Sequence, residues 1–199
     1  MAKKQKPMDI PELEVMEAEL QRVKYKNRYR SALRGTIYTL IVVAAVAVLV
    51  ATLWLPFLRI YGSSMTPTLR DGEIVCCIKT SGFDTGDIVA FYYNNKLLVK
   101  RVIGHAGDWV NIDENGNVYV NGTLLDEPYL TEKVLGDGDV EFPYQVPDGR
   151  LFVLGDHRST SVDSRHSTVG CVADEQIVGK LVFRIWPLSD FGVLNQESR

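Results

Sequence analysis

The sequence predicts a mostly β protein, in which a single N-terminal transmembrane helix precedes an antiparallel β-sheet domain. Residues 35–58 contain no charged side chain, and an apolar run of this length is typical of a membrane-spanning helix. Beyond residue 58, short runs rich in Val, Ile, Leu and aromatic residues alternate with Gly, Asn and Asp, as in strands joined by turns. Because no long helical period follows residue 58, crossover helices are not expected and the sheet should be antiparallel.

The apolar run is long enough to span a bilayer and is predicted to remain attached to the protein. At about 1.5 Å per residue, 24 helical residues extend about 36 Å, more than the roughly 30 Å of a hydrocarbon core. Tyr38 and Trp54 lie near its ends, where aromatic rings favour the interface. The run begins far from Met1, and no small-x-small site follows it before Ser64. These features favour an uncleaved anchor over a signal peptide.

Charge is distributed unevenly and predicts the orientation of this helix. Residues 1–57 carry nine Lys or Arg and five Asp or Glu, whereas residues 58–199 carry thirteen and twenty. The basic cluster directly before the apolar run contains no acid and comprises Arg22, Lys24, Lys26, Arg28, Arg30 and Arg34. By the positive-inside rule we expect a cytoplasmic segment over 1–34, an anchor over 35–57 and an extracytoplasmic domain over 58–199. The basic head suits an anionic lipid bilayer, and the acidic outer domain argues against nucleic acid.

The cytoplasmic head leaves two structures open. The stretch PELEVMEAEL is compatible with a short helix that has Pro11 in its first turn. Its apolar stripe is narrow, however, and a solvated tail is the alternative. We expect the solvated, partly disordered tail.

The outer domain contains eight runs that are predicted to be strands. They are FLRIYG, EIVCCI, DIVAFYY, KLLVKRVIG, DWVNI, NVYVNG, RLFVLGD and QIVGKLVFRIW. A small hairpin is expected over 109–125, with residues 114–117 as its turn, inside an insert that covers about 105–150. The three cysteines, two of them adjacent, form no disulfide framework or zinc-ligand spacing. The sequence therefore predicts neither a metal site nor an organic cofactor.

Three polar segments of this domain are candidates for chemistry. GSSMTPTL follows the apolar run after a few residues, and its serines are also good turn formers. LVKRVIG carries Lys100 and Arg101 inside an otherwise apolar strand. Burial of Lys100 would lower its pKa and allow it to act as a neutral general base, although a lysine on an edge strand can instead reach water. GDHRSTSVDSR is a dense polar loop, in which Asp163 and Arg165 could form an ion pair.

In this order, the three segments resemble the motifs of bacterial type I signal peptidases. GSSMTPTL is similar to the nucleophile motif of that family, in which the serine directly before Met65 is catalytic; this position is Ser64 and not Ser63. LVKRVIGHAGD is similar to the motif that carries the general base, here Lys100. GDIVAF lies between them and resembles a further motif, so the likeness covers about residues 50–186.

The resemblance also implies a set of supporting residues. In GDHRSTSVDSR, the serine that orients the catalytic lysine corresponds to Ser161. The implied ion pairs join Arg101 to Asp156 and Arg165 to Asp163. The oxyanion would be bound by the backbone N–H of Ser64.

The chain departs from the family pattern at two positions. His157 stands where the family usually has Asn, which puts any role of that Asn in question. Gly62 stands where some members have a serine whose hydroxyl helps to bind the oxyanion, so backbone donors are expected to bind it here. A single anchor and a short insert resemble the Gram-positive type.

The function implied by the resemblance is cleavage of signal peptides from secreted preproteins through an acyl-enzyme. The preprotein is expected to bind as an extended strand beside FLRIYG and GDIVAF, with small residues before the cut. Three alternatives remain at this point. A Ser–His–Asp hydrolase would use His105, His157 or His166 as its base. A self-cleaving protein of a related Ser–Lys fold would lack the anchor. A non-catalytic, membrane-tethered β-domain binding protein would need neither Ser64 nor Lys100.

Overall fold

The computed structural model describes residues 13–54 and 56–194, which fall into two compact units, 1–51 and 52–199. The described residues of the first unit, 13–51, belong to the helix α1, Leu13–Trp54, whose 42 residues extend about 63 Å. Among the described residues, this helix alone is long and apolar enough to cross a membrane, with a mean hydropathy of 2.2 over an 18-residue window of its candidate span Val15–Val50. The expectation of a solvated tail is wrong for residues 13–34, which are helical, because the helix of the apolar run continues through them. Pro11 lies outside the described residues. The helix ends at Trp54, shortly before Pro56, because proline disfavours helical structure in the residue before it.

The second unit consists almost entirely of strands. They are β1 (Phe57–Arg59), β2 (Ile74–Ile78), β3 (Ile88–Tyr93), β4 (Lys96–Gly104), β5 (Trp109–Ile112), β6 (Val118–Val120), β7 (Thr123–Leu124), β8 (Tyr144–Gln145), β9 (Arg150–Leu154), β10 (Val172–Ala173), β11 (Ile177–Trp186) and β12 (Gly192–Val193). Short 3-10 helices cover Asp174–Gln176 and Leu188–Asp190. Every described strand pair is antiparallel. The predicted fold class, mostly β with one N-terminal helix, is confirmed.

Unpaired strand edges of the larger sheet include one on β1 and one on β4. Its order is β1-β2-β11-β3-β4-β9-β10, with β12 paired to β11. β1 lies at one end of this order and pairs only with β2. β4 pairs with β3 from Lys96 to Arg101, but with β9 only from Arg101 to Gly104. One edge of the first half of β4 is therefore open, as is one edge of β1.

The smaller sheet, β7-β6-β5-β8, lies within the predicted insert. The hairpin expected over 109–125 forms as β5 and β6, with Val110 paired to Val120. Its turn is closed by hydrogen bonds from Gly116 N and Asn117 N to Asp113. Gly116 has φ 78°, a conformation that glycine adopts without steric cost.

Apolar side chains from both sheets are buried in three clusters, and polar side chains are buried beside them. Strand residues such as Val75, Ile88 and Leu181 are fully inaccessible, as expected for branched apolar side chains in a sheet that packs against a core. The buried polar set comprises Glu73, Asp87, Lys100, Arg101, Glu127, Asp156, Arg158, Ser161, Asp163, Ser164 and Arg165. Burial of so many ionisable groups requires partners for each of them, and most of these partners converge on one region.

Candidate active site

A groove of about 500 Å³ contains both residues that the sequence singled out for chemistry. Its walls are the stretch 58–62, which includes the end of β1, and the stretch 96–100 of β4. Ser64 and Lys100 both line it, together with the buried side chain of Met65. Chain segments distant in sequence thus place a hydroxyl and an amine in the same cavity.

Ser64 lies in a tight turn that is attached to the core. The side chains of Met65 and Leu69 are 2% and 0% exposed and fix the turn from below. Thr66 N donates to Ser63 O at 3.1 Å, and Leu69 N donates to Met65 O at 2.8 Å. Ser64 itself is half-buried, so its hydroxyl is held in place while a substrate can still reach it.

Lys100 is buried in the middle of β4, with 3% of its surface exposed. Burial lowers the pKa of its amine from 10.5 to about 8, although the negative charges of Asp163 and Asp156 oppose this effect; the positive charge of Arg165 adds to it. A substantial fraction of the amine is therefore neutral near pH 8. Only the neutral form can accept a proton from a hydroxyl.

Arg101, the next residue of β4, joins the segments around Lys100. Its guanidinium donates to both carboxylate oxygens of Asp156, at 2.9 and 2.6 Å, and to Gly86 O at 2.8 Å. The Thr68 hydroxyl donates to the same carboxylate at 2.5 Å. Asp156 therefore connects β4 to the turn that carries Ser64. The ring of Tyr129 covers this pair, with its centroid 3.7 Å from the guanidinium carbon.

The polar loop after β9 is shaped by a second bidentate ion pair. Arg165 donates to both oxygens of Asp163 at 2.9 Å, and Asp163 also accepts from Gly155 N at 2.9 Å. Burial would raise the pKa of Asp163, but the hydrogen bond and charge of Arg165 outweigh it and hold the pKa below its usual value. A further donation from Arg165 to Leu135 O attaches the loop to the insert, and one to Arg158 O holds the loop together. Both ion pairs that the resemblance implies are thus present.

Ser161 lies deep in this loop, next to the Ser64 turn. It is 4% exposed and therefore closed to solvent. A Cβ atom on Gly155 would lie 2.1 Å from Ser161 Oγ and 2.6 Å from Ser64 O, so only glycine permits this approach. The proposed contact of Ser161 with Lys100 stays a prediction.

Sequence reasoning missed several residues of this region. The loop and the insert are joined by an ion pair between Glu127 and Arg158, both buried. Thr66, Thr68 and Tyr129 also contact the site. Nothing in the spacing of these residues shows that they meet, because each contact joins distant parts of the chain. The glycine that follows a strand at position 155 was the one available signal of a close approach.

One expectation about the groove is wrong. FLRIYG forms one wall as predicted, but GDIVAF does not form the other. Residues 88–91 of that motif are at most 1% exposed and lie in β3, which is paired on both sides by β11 and β4. A central strand has no free edge to offer, so the second wall is the open half of β4.

The histidines are not part of this groove. None of the residues that line it is a histidine. His105 Nε2 lies 2.8 Å from Phe83 O, and His157 Nδ1 lies 3.0 Å from Thr66 Oγ1. The geometry therefore gives no support to a Ser–His–Asp arrangement around Ser64.

Comparison with known proteins agrees with the motifs. The family model described as signal peptidase, peptidase S26, matches residues 33–186. Signal peptidase IB of Staphylococcus aureus (strain Mu50 / ATCC 700699) is 43% identical over 152 residues, which cover 66% of this chain and 78% of that protein. Signal peptidase I of Bacillus caldolyticus is 44% identical over 147 residues, which cover 65% and 79%. A crystal structure of a signal peptidase I from Enterococcus faecalis V583 is similar over 50% of this chain and 97% of that one, at 30% identity and a TM-score of 0.42.

Proposed function

Because this chain belongs to the signal peptidase family, peptidase S26, and is therefore a serine peptidase, we propose that it cleaves signal peptides from secreted preproteins with a Ser–Lys dyad. Ser64 is the nucleophile and Lys100 the general base. The observation that carries the proposal is that both side chains line one groove while burial keeps the pKa of Lys100 near 8. Ser161, Met65, Arg101, Asp156, Asp163 and Arg165 support the dyad.

The reaction is an acyl transfer in two halves. The neutral amine of Lys100 takes the proton of the Ser64 hydroxyl as its oxygen attacks the scissile carbonyl. The oxyanion accepts a hydrogen bond from the backbone N–H of Ser64, and the lysine ammonium then protonates the leaving amine. Water, deprotonated by Lys100, hydrolyses the acyl-enzyme and regenerates Ser64. None of these steps requires a metal or an organic cofactor.

The substrate binds as an extended strand between the two open edges. Ile60 N donates to Glu73 O, and Ile60 O accepts from Gly72 N, so the main chain of Ile60 faces β2. Because successive residues of a strand alternate, the main-chain groups of Arg59 and Tyr61 face the groove and can pair with a peptide. Apolar side chains line the groove and suit small apolar residues before the cut; they are Leu58, Ile60, Met65, Leu97, Leu98 and Val99.

The helix α1 anchors the protein in the cell membrane with its N-terminus in the cytoplasm. Its apolar part follows the acid-free basic cluster, which the positive-inside rule retains on the cytoplasmic side. Reporter fusions test this orientation. Alkaline phosphatase, which is active only outside the cytoplasm, should be active when fused after residue 199 and inactive when fused before Met1. The opposite pattern would contradict the proposed orientation.

Cleavage of a secretory preprotein by the full chain in detergent tests the dyad. The wild type should cut after a small-x-small site, whereas Ser64→Ala and Lys100→Met should fail while keeping the near-ultraviolet circular dichroism of the wild type. Ser63→Ala is the matched control and should still cut, since the exposed Ser63 side chain is not the nucleophile. Activity of Lys100→Met would place the base elsewhere. Failure of the folded wild type would favour a non-catalytic binding protein.

A further inference from the structure

His157 makes two polar contacts with the turn that carries Ser64, and the proposed reaction uses neither of them. Its backbone N–H donates to Ser64 O at 3.0 Å. Its ring atom Nδ1 lies 3.0 Å from Thr66 Oγ1. One atom of His157 thus contacts Ser64 itself, and the other contacts Thr66, two residues further along the turn.

The hydrogen bonds of Thr66 determine where the imidazole proton lies. The Thr66 hydroxyl has one proton, and its oxygen lies 2.8 Å from Ser63 O. A carbonyl oxygen can only accept, so the hydroxyl donates there. Thr66 Oγ1 is then an acceptor toward the imidazole, and His157 Nδ1 must carry a proton. The contacts form a chain in which Nδ1–H donates to Thr66, and Thr66 donates to Ser63.

This chain controls the direction of the Ser64 N–H. Ser63 O accepts from both the hydroxyl and the backbone N–H of Thr66, at 2.8 and 3.1 Å. The peptide bond between Ser63 and Ser64 is trans, and a trans peptide directs its C=O and N–H in opposite directions. With Ser63 O held inside the turn, the Ser64 N–H is directed out of it. No described residue accepts a hydrogen bond from this N–H, so it is free to bind the oxyanion.

We propose that His157 is a positioning residue, which acts through Thr66 to hold the Ser64 N–H in the direction of the oxyanion. The proposal rests on the proposed function, since the oxyanion arises only in that reaction. It also accounts for the departure from the family pattern at this position. The amide nitrogen of Asn is bonded to Cγ, as Nδ1 of His is, and can donate to Thr66 from the same place. The amide of Gln lies one atom further out and cannot.

Steady-state kinetics of the full chain with a preprotein substrate tests the proposal. His157→Ala should lower kcat about tenfold, because a misdirected oxyanion donor weakens binding of the transition state. KM should stay the same, since the walls of the groove at 58–62 and 96–100 are not altered. His157→Asn should restore most of the lost kcat, whereas His157→Gln should not. The control His105→Ala, which removes a contact with Phe83, should keep the wild-type kcat.

A double-mutant cycle tests whether His157 acts through Thr66. Thr66→Val keeps the shape of the side chain but removes the hydroxyl, and it should lower kcat as much as His157→Ala does. Thr66→Ser should retain activity. The double variant should be no slower than either single variant, because both break one chain of hydrogen bonds. Additive losses, or equal rescue by Asn and Gln, would overturn the proposal.

The tautomer of His157 gives a readout that does not depend on activity. Long-range ¹⁵N–¹H correlation spectra of the full chain in micelles should show that Nδ1 of His157 is protonated. In Thr66→Val this protonation is no longer required, because the hydroxyl that accepts from Nδ1 is absent. The chain has three histidines, so the signals of His157 are identified by their loss in His157→Asn. A neutral ring protonated only at Nε2 would overturn the proposal even if the wild type failed to cleave. If the wild type cleaves the preprotein and His157→Ala is fully active, the role proposed for His157 is overturned, whereas the proposed Ser–Lys dyad is not affected.

Discussion

Arg101 and Asp156 form a bidentate ion pair that is closed to water. The Nε and Nη2 atoms of Arg101 lie 2.9 and 2.6 Å from the two carboxylate oxygens, and the side chains are 0% and 1% exposed. Thr68 shares the carboxylate and Tyr129 covers the guanidinium. Through this one carboxylate, the strand that carries Lys100 is joined to the turn that carries Ser64.

We predict that Asp156→Asn destabilises the protein by about 3–5 kcal/mol, because it leaves the buried Arg101 guanidinium without a counter-charge. Denaturant unfolding of the β domain in detergent measures this loss. The exposed Asp174→Asn is the control and should change the free energy of unfolding by less than about 0.5 kcal/mol. The double variant Arg101→Met, Asp156→Leu should recover part of the loss, since it buries no charge. A single variant as stable as the control would contradict the prediction.

We predict that kcat/KM rises with pH and levels off above about pH 8. Burial lowers the pKa of Lys100 to about 8 in the substrate-free protein, and in the proposed reaction only the neutral amine removes the Ser64 proton. Below this pKa, the neutral fraction and kcat/KM should fall about tenfold for each unit of pH. A pH profile of kcat/KM on one preprotein measures the midpoint. A midpoint near 10.5, the ordinary value for a lysine, would show that Lys100 is solvated or is not the base.

We predict that Lys100→Met is more stable than the wild type at neutral pH. The folded pKa of about 8 lies below the unfolded value of 10.5, so the unfolded state binds the proton more tightly. The stability of the wild type should therefore rise as the pH increases from about 8 to 10.5, and be lowest below 8, where the lysine is buried with its charge. The shift corresponds to at most about 3 kcal/mol.

Unfolding free energies of both proteins at pH 7 and at pH 10.5 measure this difference. The advantage of Lys100→Met should be largest at pH 7 and should shrink at pH 10.5. Lys96→Met alters an exposed lysine of the same strand and should show no such advantage. Equal stability of Lys100→Met and wild type at pH 7 would mean that water reaches the amine.

We predict that Gly155→Ala impairs both catalysis and folding. The new methyl group would lie 2.1 Å from Ser161 Oγ and 2.6 Å from Ser64 O, so the loop and the nucleophile turn must separate. A displacement of about 1 Å at a reacting group can cost about a hundredfold in rate, whereas such overpacking costs about 1–3 kcal/mol of stability. Gly82→Ala is the matched control, since no atom lies within 4 Å of its added Cβ. Wild-type kcat in Gly155→Ala would show that the approach is not required.

Local patterns account for most of what could be predicted. The eight predicted strands all form, because enrichment in Val, Ile, Leu and aromatic residues and the turn residues between the runs act over a few neighbours. The shortest strands, such as β7 and β10 with two residues each, were not predicted, since two residues are too few to form a recognisable run. The head was wrongly expected to be a solvated tail, because a narrow apolar stripe is shared by surface helices and solvated tails.

The fold class, the long apolar helix and the two side chains proposed for the chemistry could be predicted from the sequence, because hydrophobic period, charge order and motif are properties of neighbouring residues. Which strand edges form the groove became clear from the folded chain, where the open half of β4 takes the place expected for the buried β3. The tertiary structure also decided that Gly155 admits Ser161 beside Ser64, and that His157 reaches Thr66. These contacts join residues separated by up to 91 positions, and their distances depend on how the whole sheet folds rather than on any local pattern.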